Sequence, residues 1–279
     1  LAGSPRILRG SIKDYMFFLK KSFYIALGEK VTTFVYFFGG LFSLTFQTLS
    51  LIHGQPLGVR RIFEQAKKIG VDSLPIVSLV SFFIGMILAL QTAYIMQKMS
   101  SEIYIASIVA VSLTRELGPV ITALIVAGRC GAGITAELGT MTVTEQVDAL
   151  ATLGSNPIKY LVVPRYLSLT IMMPILTLFA NAIGIFGGYL IGVYHLSIRS
   201  SLYMNMTFQT LVYKDIFTGL IKTIFFGMII AIIACYEGLN VRGGAEGVGK
   251  ATTRSVVNTF IMIIAADCFF TALFYFFWS

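Results

Sequence analysis

Long apolar runs separated by short polar segments dominate the chain. A membrane-spanning helix needs about 20 consecutive, mostly apolar residues. Five runs meet this requirement, and we expect each to cross a membrane: Leu74–Gln97, Ile105–Ala127, Val162–Val193, Val212–Tyr236 and Val256–Phe277. The third run is long enough to tilt, or to begin as an interfacial segment at Pro164 and straighten after Pro174. The pattern predicts an all-α polytopic membrane protein with five transmembrane helices.

An apolar segment before these runs is ambiguous. Val31–Ile52 is long enough to span, but Gly39 and Gly40 lie near its middle and basic residues flank both sides. Basic flanks favour the cytoplasmic side of a membrane. We therefore expect a membrane-embedded hairpin or elbow that returns both flanks to that side, with a spanning helix as the alternative.

The first 30 residues are basic and amphipathic. Four apolar residues recur at helical spacing, with lysines off the stripe: Ile12, Met16, Leu19 and Phe23. This pattern predicts an amphipathic helix in the membrane interface, and packing on protein is the alternative. We expect residues 1–60 to hold this helix and the embedded element, and residues 61–279 to form the main domain.

Composition and charge agree with a membrane protein. Hydrophobic residues make up 56% of the 279 residues, charged residues make up 12%, and the net charge is +8. A soluble domain has about 25% charged residues. With five spans and a cytoplasmic N-terminus, sixteen Lys and Arg residues lie on the cytoplasmic side and three lie outside. Orientation therefore explains the positive charge, and no nucleic-acid partner is expected.

Enzyme signatures are weak. The sequence contains neither H-E-x-x-H nor G-x-S-x-G, and its three cysteines lack the spacing of a disulfide framework or a zinc site. Residues 244–254 resemble a phosphate-binding loop in Gly244, Gly249 and Lys250, but Ala251 replaces the hydroxyl that holds magnesium. We expect a flexible cytoplasmic connection there, and no catalytic residue, metal or cofactor in this chain.

The cytoplasmic loop 128–161 contains a segment, Glu137–Leu150, that can form a short helix. Two edges of that helix differ in character, an apolar one at Val143, Val147 and Leu150 and an acidic one at Glu145 and Asp148. Such a helix can pack against the membrane helices, or it can dock a cytoplasmic partner.

Ionisable residues inside spans are costly and are functional candidates. Arg115 and Glu116 lie midway along the second span and point about 100° apart, so we do not expect them to pair with each other. Lys222 and Asp267 each lie about 15 Å from the outer end of their spans, which predicts a buried ion pair.

Three glycines on the third span repeat every four residues, at Gly184, Gly188 and Gly192. This spacing lets helix backbones approach closely. We expect it to serve packing within one protomer, with a dimer contact as the alternative.

The segment RELGPVITALIVAGRCGAGITAELGTMTVTEQVDAL, residues 115–150, resembles the signature of the MlaE-type (Mce-associated) lipid ABC permeases. The resemblance extends from about residue 60 to the end of the chain. It includes the segment Gly85–Gln91, the run NPIKYLVVPR, and KATTRSVV with Asp267 downstream.

This resemblance implies a homodimeric permease subunit that moves phospholipid between the inner membrane and a ring of Mce-domain proteins on the outer face. The driving force would come from a cytoplasmic ABC ATPase dimer, with or without a small regulatory subunit, and ATP and magnesium would bind there. The residues implied to couple the two subunits are Glu145, Gln146, Val147, Asp148, Ala149 and Leu150. The polar candidates for the lipid cavity are Gln91, Arg115, Glu116, Lys222 and Asp267.

The family's location implies a bacterial inner membrane, with the plastid inner envelope as the alternative. Two other functions stay open on the sequence: an ABC permease for another apolar solute such as a sterol, and a stand-alone secondary transporter. The chain shows no internal repeat of the kind that many secondary transporters have.

Overall fold

The computed structural model describes residues 28, 32, 34–52 and 58–278, and this part of the chain is helical with no strand. In chain order the helices are α1 (Phe34–Ile52), α2 (Val59–Gly70), α3 (Leu74–Lys98), α4 (Ile105–Ser112), α5 (Gly118–Val126), α6 (Ala132–Val143), α7 (Gln146–Thr152), α8 (Val163–Leu190), α9 (Ser200–Thr210), α10 (Tyr213–Leu239) and α11 (Gly244–Trp278). Four π-helical turns continue these helices, at Leu113–Leu117, Ala127–Gly131, Ile158–Val162 and Ile191–His195.

Within the described residues, six helical segments are long and apolar enough to cross a membrane. They are Phe34–Ile52, Val59–Lys98, Glu102–Val143, Ile158–His195, Tyr213–Leu239 and Gly244–Phe276. The last five overlap the five predicted spans, so the all-α polytopic fold is confirmed. Each of the five extends beyond its predicted span at one or both ends, because polar helical turns continue past the apolar stretch.

The remaining segment, α1, contradicts the prediction of a hairpin. Gly39 and Gly40 both lie inside one uninterrupted helix of 19 residues, so the chain does not reverse between Phe34 and Ile52. Each glycine lowers the stability of a helix by about 1 kcal/mol relative to alanine. Aromatic packing along α1, with the Phe34 and Phe38 rings 4.5 Å apart, acts in the opposite direction. The predicted interfacial helix at residues 12–23 lies outside the described residues.

The chain divides into two compact units, Leu1–Phe46 and Gln47–Ser279. The second unit contains α2 to α11 and all of the polar residues considered below. The predicted division after residue 60 stays a prediction.

Close backbone contact joins α3 to α8. A Cβ atom at Gly85 would collide with the carbonyl oxygen of Gly184, and one at Gly188 would lie 2.9 Å from the Val109 side chain. A Cβ atom at Gly192 would collide with the Tyr203 ring on α9. The three glycines at four-residue spacing therefore pack within one chain, as predicted.

Helix α10 lies at the centre of the second unit, where it packs against α6, α8 and α11. Two glycines allow this. A Cβ atom at Gly219 would collide with the carbonyl oxygen of Thr114, and one at Gly227 would lie 2.7 Å from that of Leu169. The first contact brings α10 against the π-helical turn at residues 113–117, which positions the candidate site.

The glycine-rich segment 244–254 is the first part of α11, so the predicted flexible connection is wrong. Only a short turn separates α10 from α11, and Gly243 and Gly244 close it with φ angles of 93° and 68°. From there the helix is stabilised by an ion pair between Lys250 and Glu246 and by burial of Ala251. Tertiary contacts thus outweigh the low helix propensity of its glycines.

The predicted helix Glu137–Leu150 is two helices. Glu145 adopts a left-handed conformation (φ 59°) between α6 and α7, which breaks the backbone hydrogen-bond pattern. Val143 therefore belongs to α6, and the predicted continuous apolar edge through Val147 and Leu150 does not form on one helix.

Candidate functional site

An ionic cluster joins three membrane helices. Lys222 on α10 is almost completely buried, and its Nζ donates to Glu116 Oε2 at 2.5 Å and to Asp267 Oδ1 at 3.0 Å. It also lies 2.7 Å from Thr271 Oγ1, whose hydroxyl lies 3.1 Å from Glu116 Oε2. The predicted Lys222–Asp267 ion pair is therefore confirmed, and Glu116 is a second carboxylate that the prediction did not include.

A proline makes a fourth acceptor available to this ammonium group. Pro119 has no N–H, so it cannot donate the α-helical hydrogen bond to the carbonyl oxygen of Arg115. Lys222 Nζ lies 3.3 Å from that oxygen. Backbone carbonyls freed by proline inside a membrane are satisfied by neighbouring helices, and Lys222 fills this role here.

Arg115 and Glu116 have separate partners, as predicted from their angular spacing. Glu116 binds Lys222, whereas Arg115 Nη1 lies 3.6 Å from Asp215 Oδ1 at the start of α10. The two residues belong to the π-helical turn Leu113–Leu117. Such turns are rare and are frequent at functional sites.

The cluster has an open side and unbalanced charge. The side chain of Glu116 is 38% exposed and that of Asp267 is 21% exposed, around a cation that is 2% exposed. With all groups ionised, two carboxylates and one ammonium leave a net charge of −1. Because exposed charges at this depth face a water-filled cavity or protein rather than lipid, the open side can bind a polar group of a ligand.

Gln91 is not brought into this cluster. Its side chain is exposed on α3, and no hydrogen bond joins it to the other four predicted polar residues in the described part of the chain. Of the five polar candidates, the structure brings Arg115, Glu116, Lys222 and Asp267 close together and leaves Gln91 elsewhere. Their role in a lipid cavity stays a prediction.

The cytoplasmic segment implied to couple the subunits lies on and before α7. Glu145 and Asp148 are exposed, and Val147 lines a cavity of about 530 Å³. Ala151, Pro157 and Leu239 also line this cavity, so α7 and the cytoplasmic end of α10 share it. The arrangement leaves an acidic surface beside an apolar cavity.

Two ionic contacts near the predicted cytoplasmic ends of the helices were missed in the sequence. Arg165, which is buried, lies 3.0 Å from Glu137. Glu237 on α10 is also buried, and it accepts hydrogen bonds from Arg254 at 2.7 Å and Asn258 at 3.1 Å on α11. In each case the sequence offered one sign of such a contact, a glutamate at the end of an apolar run.

Comparison with known proteins decides the family. The family model for permease MlaE matches residues 62–273. The chain belongs to the MlaE permease family. The matched range contains α3 to α10, most of α2 and α11, and every residue of the ionic cluster.

Similar proteins agree with this assignment. A probable ABC transporter permease protein of Rickettsia prowazekii is 50% identical over 85% of this chain and 92% of its own length. A second one, of Synechocystis, is 39% identical over 83% of this chain and 88% of its own. The intermembrane phospholipid transport system permease protein MlaE of Haemophilus influenzae is 36% identical over 90% of this chain and 97% of its own.

Family membership and the six apolar helical segments together identify a multi-pass membrane protein that is an ABC transporter permease. The expectation drawn from the segment at residues 115–150 is thus confirmed at the level of the family.

Proposed function

We propose that this chain is the membrane subunit of an ABC transporter that moves phospholipid between the bacterial inner membrane and a conduit of Mce-domain proteins. Two copies form the permease, and a separate cytoplasmic ATPase dimer binds ATP and magnesium and supplies the energy. The chain itself carries no catalytic residue in this proposal.

The observation that carries the proposal is the open ionic cluster at Lys222. A path for phospholipid needs apolar walls and a few polar groups for the headgroup. Glu116 and Asp267 offer partly exposed carboxylates at membrane depth, and Lys222 holds both in place. The phospholipid transport named for the Haemophilus relative supports the same substrate class.

The exposed acidic surface at α7 supports the ATPase partner. Glu145 and Asp148 are exposed at the cytoplasmic side, and α7 has no buried residue that would commit it to the core. A partner with basic residues and an apolar side chain matches this surface and its adjoining cavity.

The test is transport in proteoliposomes that hold the permease with its ATPase and a phospholipid with a fluorescent headgroup label. We expect ATP-dependent movement of the label to an acceptor Mce-domain protein, and none when the permease or ATP is omitted. Movement that persists without the ATPase would instead indicate a secondary transporter. Movement of a labelled sterol in place of phospholipid would overturn the substrate class.

A further inference from the structure

A second cavity lies between α8 and α9 and reaches Thr114, in the same π-helical turn as Arg115 and Glu116. Its volume is about 550 Å³, within the range of about 300–1,000 Å³ that ligand pockets occupy. Six residues on one face of α8 form one wall: Leu178, Asn181, Ala182, Ile185, Phe186 and Tyr189. The opposite wall is formed by Met204, Thr207 and Phe208 on one face of α9 and by Leu211 directly after it. The cavity follows α8 for about 16 Å, at 1.5 Å per residue.

Three of the four polar side chains on these walls have a hydrogen-bond partner within the protein. Thr114 and Thr207 donate their hydroxyl protons to carbonyl oxygens one turn earlier in their own helices. The hydroxyl of Tyr189 hydrogen-bonds to Ser200 at 2.8 Å. Asn181 alone among the four has no hydrogen-bond partner in the described residues, although it is only 8% exposed.

An unpartnered buried amide is costly, by about 1–3 kcal/mol. The amide oxygen of Asn181 packs against Gly118, where any Cβ atom would collide with it. Glycine at position 118 therefore leaves room for a polar side chain that no group of the protein satisfies. That oxygen is enclosed and out of reach of a ligand, whereas Asn181 itself lines the cavity. The amide NH2 is therefore the group that can meet a ligand, and it would donate a hydrogen bond to a ligand oxygen.

We propose that this cavity binds a single-chain amphiphile, with its hydrocarbon chain along α8 and its oxygen-bearing end at Asn181. The walls are apolar apart from the residues named above, and α8 lies in a membrane-spanning segment, where the molecules that can enter are lipids. A cavity of this volume along one helix face suits one hydrocarbon chain. None of the residues of the Lys222 cluster lines this cavity, and the site goes beyond the proposed transport function.

The experiment uses two photoreactive probes of equal chain length on the purified full chain in detergent: palmitic acid with a diazirine on its chain, and the corresponding alkane without the carboxyl group. Labelled peptides are mapped by mass spectrometry. We expect saturable labelling of α8 and α9 by the fatty acid, up to one probe per chain. Labelling that rises linearly with probe concentration and spreads over other lipid-facing helices would overturn the proposal.

Three variants sharpen the result. Ala182→Phe fills the cavity and should abolish labelling by both probes. Asn181→Leu should weaken labelling by the fatty acid about fivefold and leave the alkane unchanged, since one hydrogen bond is lost. Ile175→Phe, which places a phenylalanine at an exposed α8 position outside the cavity, is the control and should change neither.

Two outcomes would count against the proposal despite specific labelling. If Asn181→Leu leaves the fatty-acid signal unchanged, the amide does not bind the polar end. If unlabelled phospholipid displaces the probe but unlabelled palmitic acid does not, the occupant is a two-chain lipid rather than a single-chain amphiphile. Because the readout is binding, failure here leaves the transport proposal untouched, and failure of transport leaves this one untouched.

Discussion

Helices α10 and α11 are tied together at two places, and the two ties are built in opposite ways. In the membrane, a buried cation, Lys222, is surrounded by the partly exposed carboxylates of Glu116 and Asp267. Near the predicted cytoplasmic end, a buried carboxylate, Glu237, is bound by the guanidinium of Arg254, whose side chain is 59% exposed. With all groups ionised, the first contact has one excess negative charge on its open side, whereas the second is neutral and faces solvent through its cation.

The difference suggests that one contact stabilises the fold and the other has a function in transport. The Glu237–Arg254 pair is balanced in charge and its cation is hydrated, which is sufficient for a contact that only stabilises the fold. The Lys222 cluster has an excess carboxylate that a purely structural pair would not require, because one carboxylate already neutralises the ammonium group. An ionisable residue kept at membrane depth at this cost is a functional candidate.

The largest effect is expected from Lys222→Met. Two carboxylates would then lie close together without a cation, and removing one partner of a buried ion pair costs about 3–5 kcal/mol. We expect that loss in the free energy of unfolding, measured by denaturant titration in detergent, together with loss of transport. Lys214→Met, at the exposed start of α10, is the control and should be close to neutral.

A neutral version of the cluster tests the reason for that loss. Adding Glu116→Gln and Asp267→Asn to Lys222→Met removes all three charges, so most of the stability should return while transport does not. The charge swap Lys222→Asp with Asp267→Lys should restore only part, because Glu116 would keep its position beside a new carboxylate. Full recovery by the swap would mean that Glu116 contributes nothing.

Glu237→Gln at the cytoplasmic tie should cost less, about 1–3 kcal/mol. Arg254 stays hydrated when its partner is removed, and a glutamine can still accept the hydrogen bond from Asn258. Transport per folded molecule should stay near that of the parent chain. A loss of stability larger than that of Lys222→Met would reverse the comparison between the two ties.

Asp267→Asn separates the roles within the cluster. Lys222 keeps Glu116, and the asparagine can still accept a hydrogen bond, so we expect a stability change of about 1 kcal/mol or less. Transport should fall about tenfold, which corresponds to about 1.4 kcal/mol of lost interaction with the headgroup. Equal transport in Asp267→Asn and Glu237→Gln would show that the excess carboxylate has no role.

The sequence predicted the helices and half of this cluster. Apolar run length located the five spans, and equal depth from the outer ends paired Lys222 with Asp267. Glu116 was missed as the second carboxylate because its contact depends on how closely α10 approaches at Gly219 and on the π-helical turn, and neither has a periodic signature. Pro119, four residues after Arg115, was the one local sign that a carbonyl there needed another partner.

The other differences have physical causes as well. The charge rule that favoured a hairpin at Val31–Ile52 weighs flanks and not the helix itself, and an apolar helix tolerates Gly39 and Gly40. Glycines at the start of α11 suggested a loop, but the contact of Arg254 with Glu237 stabilises a helix there. Tertiary contacts of this kind are absent from any local pattern.

The smallest effect on stability is expected at α7, where two acidic residues have no ion-pair partner in the described part of the chain. Glu145 and Asp148 are exposed beside α7 and form no ion pair within the described residues. Changing both to lysine should therefore leave the free energy of unfolding within about 0.5 kcal/mol of the parent. The same double variant should weaken association with the cytoplasmic ATPase, because it reverses the charge of the proposed docking surface.

Co-purification of the ATPase with the tagged permease measures this association, and the matched control is Glu246→Lys. Glu246 is likewise an exposed carboxylate, at the start of α11 and outside α7, with an exposed partner in Lys250. Its replacement should not change the amount of ATPase recovered. If the α7 variant recovers as much ATPase as the control does, the acidic surface is not the docking site, and the cavity that α7 shares with Leu239 would be the part of this face left to test.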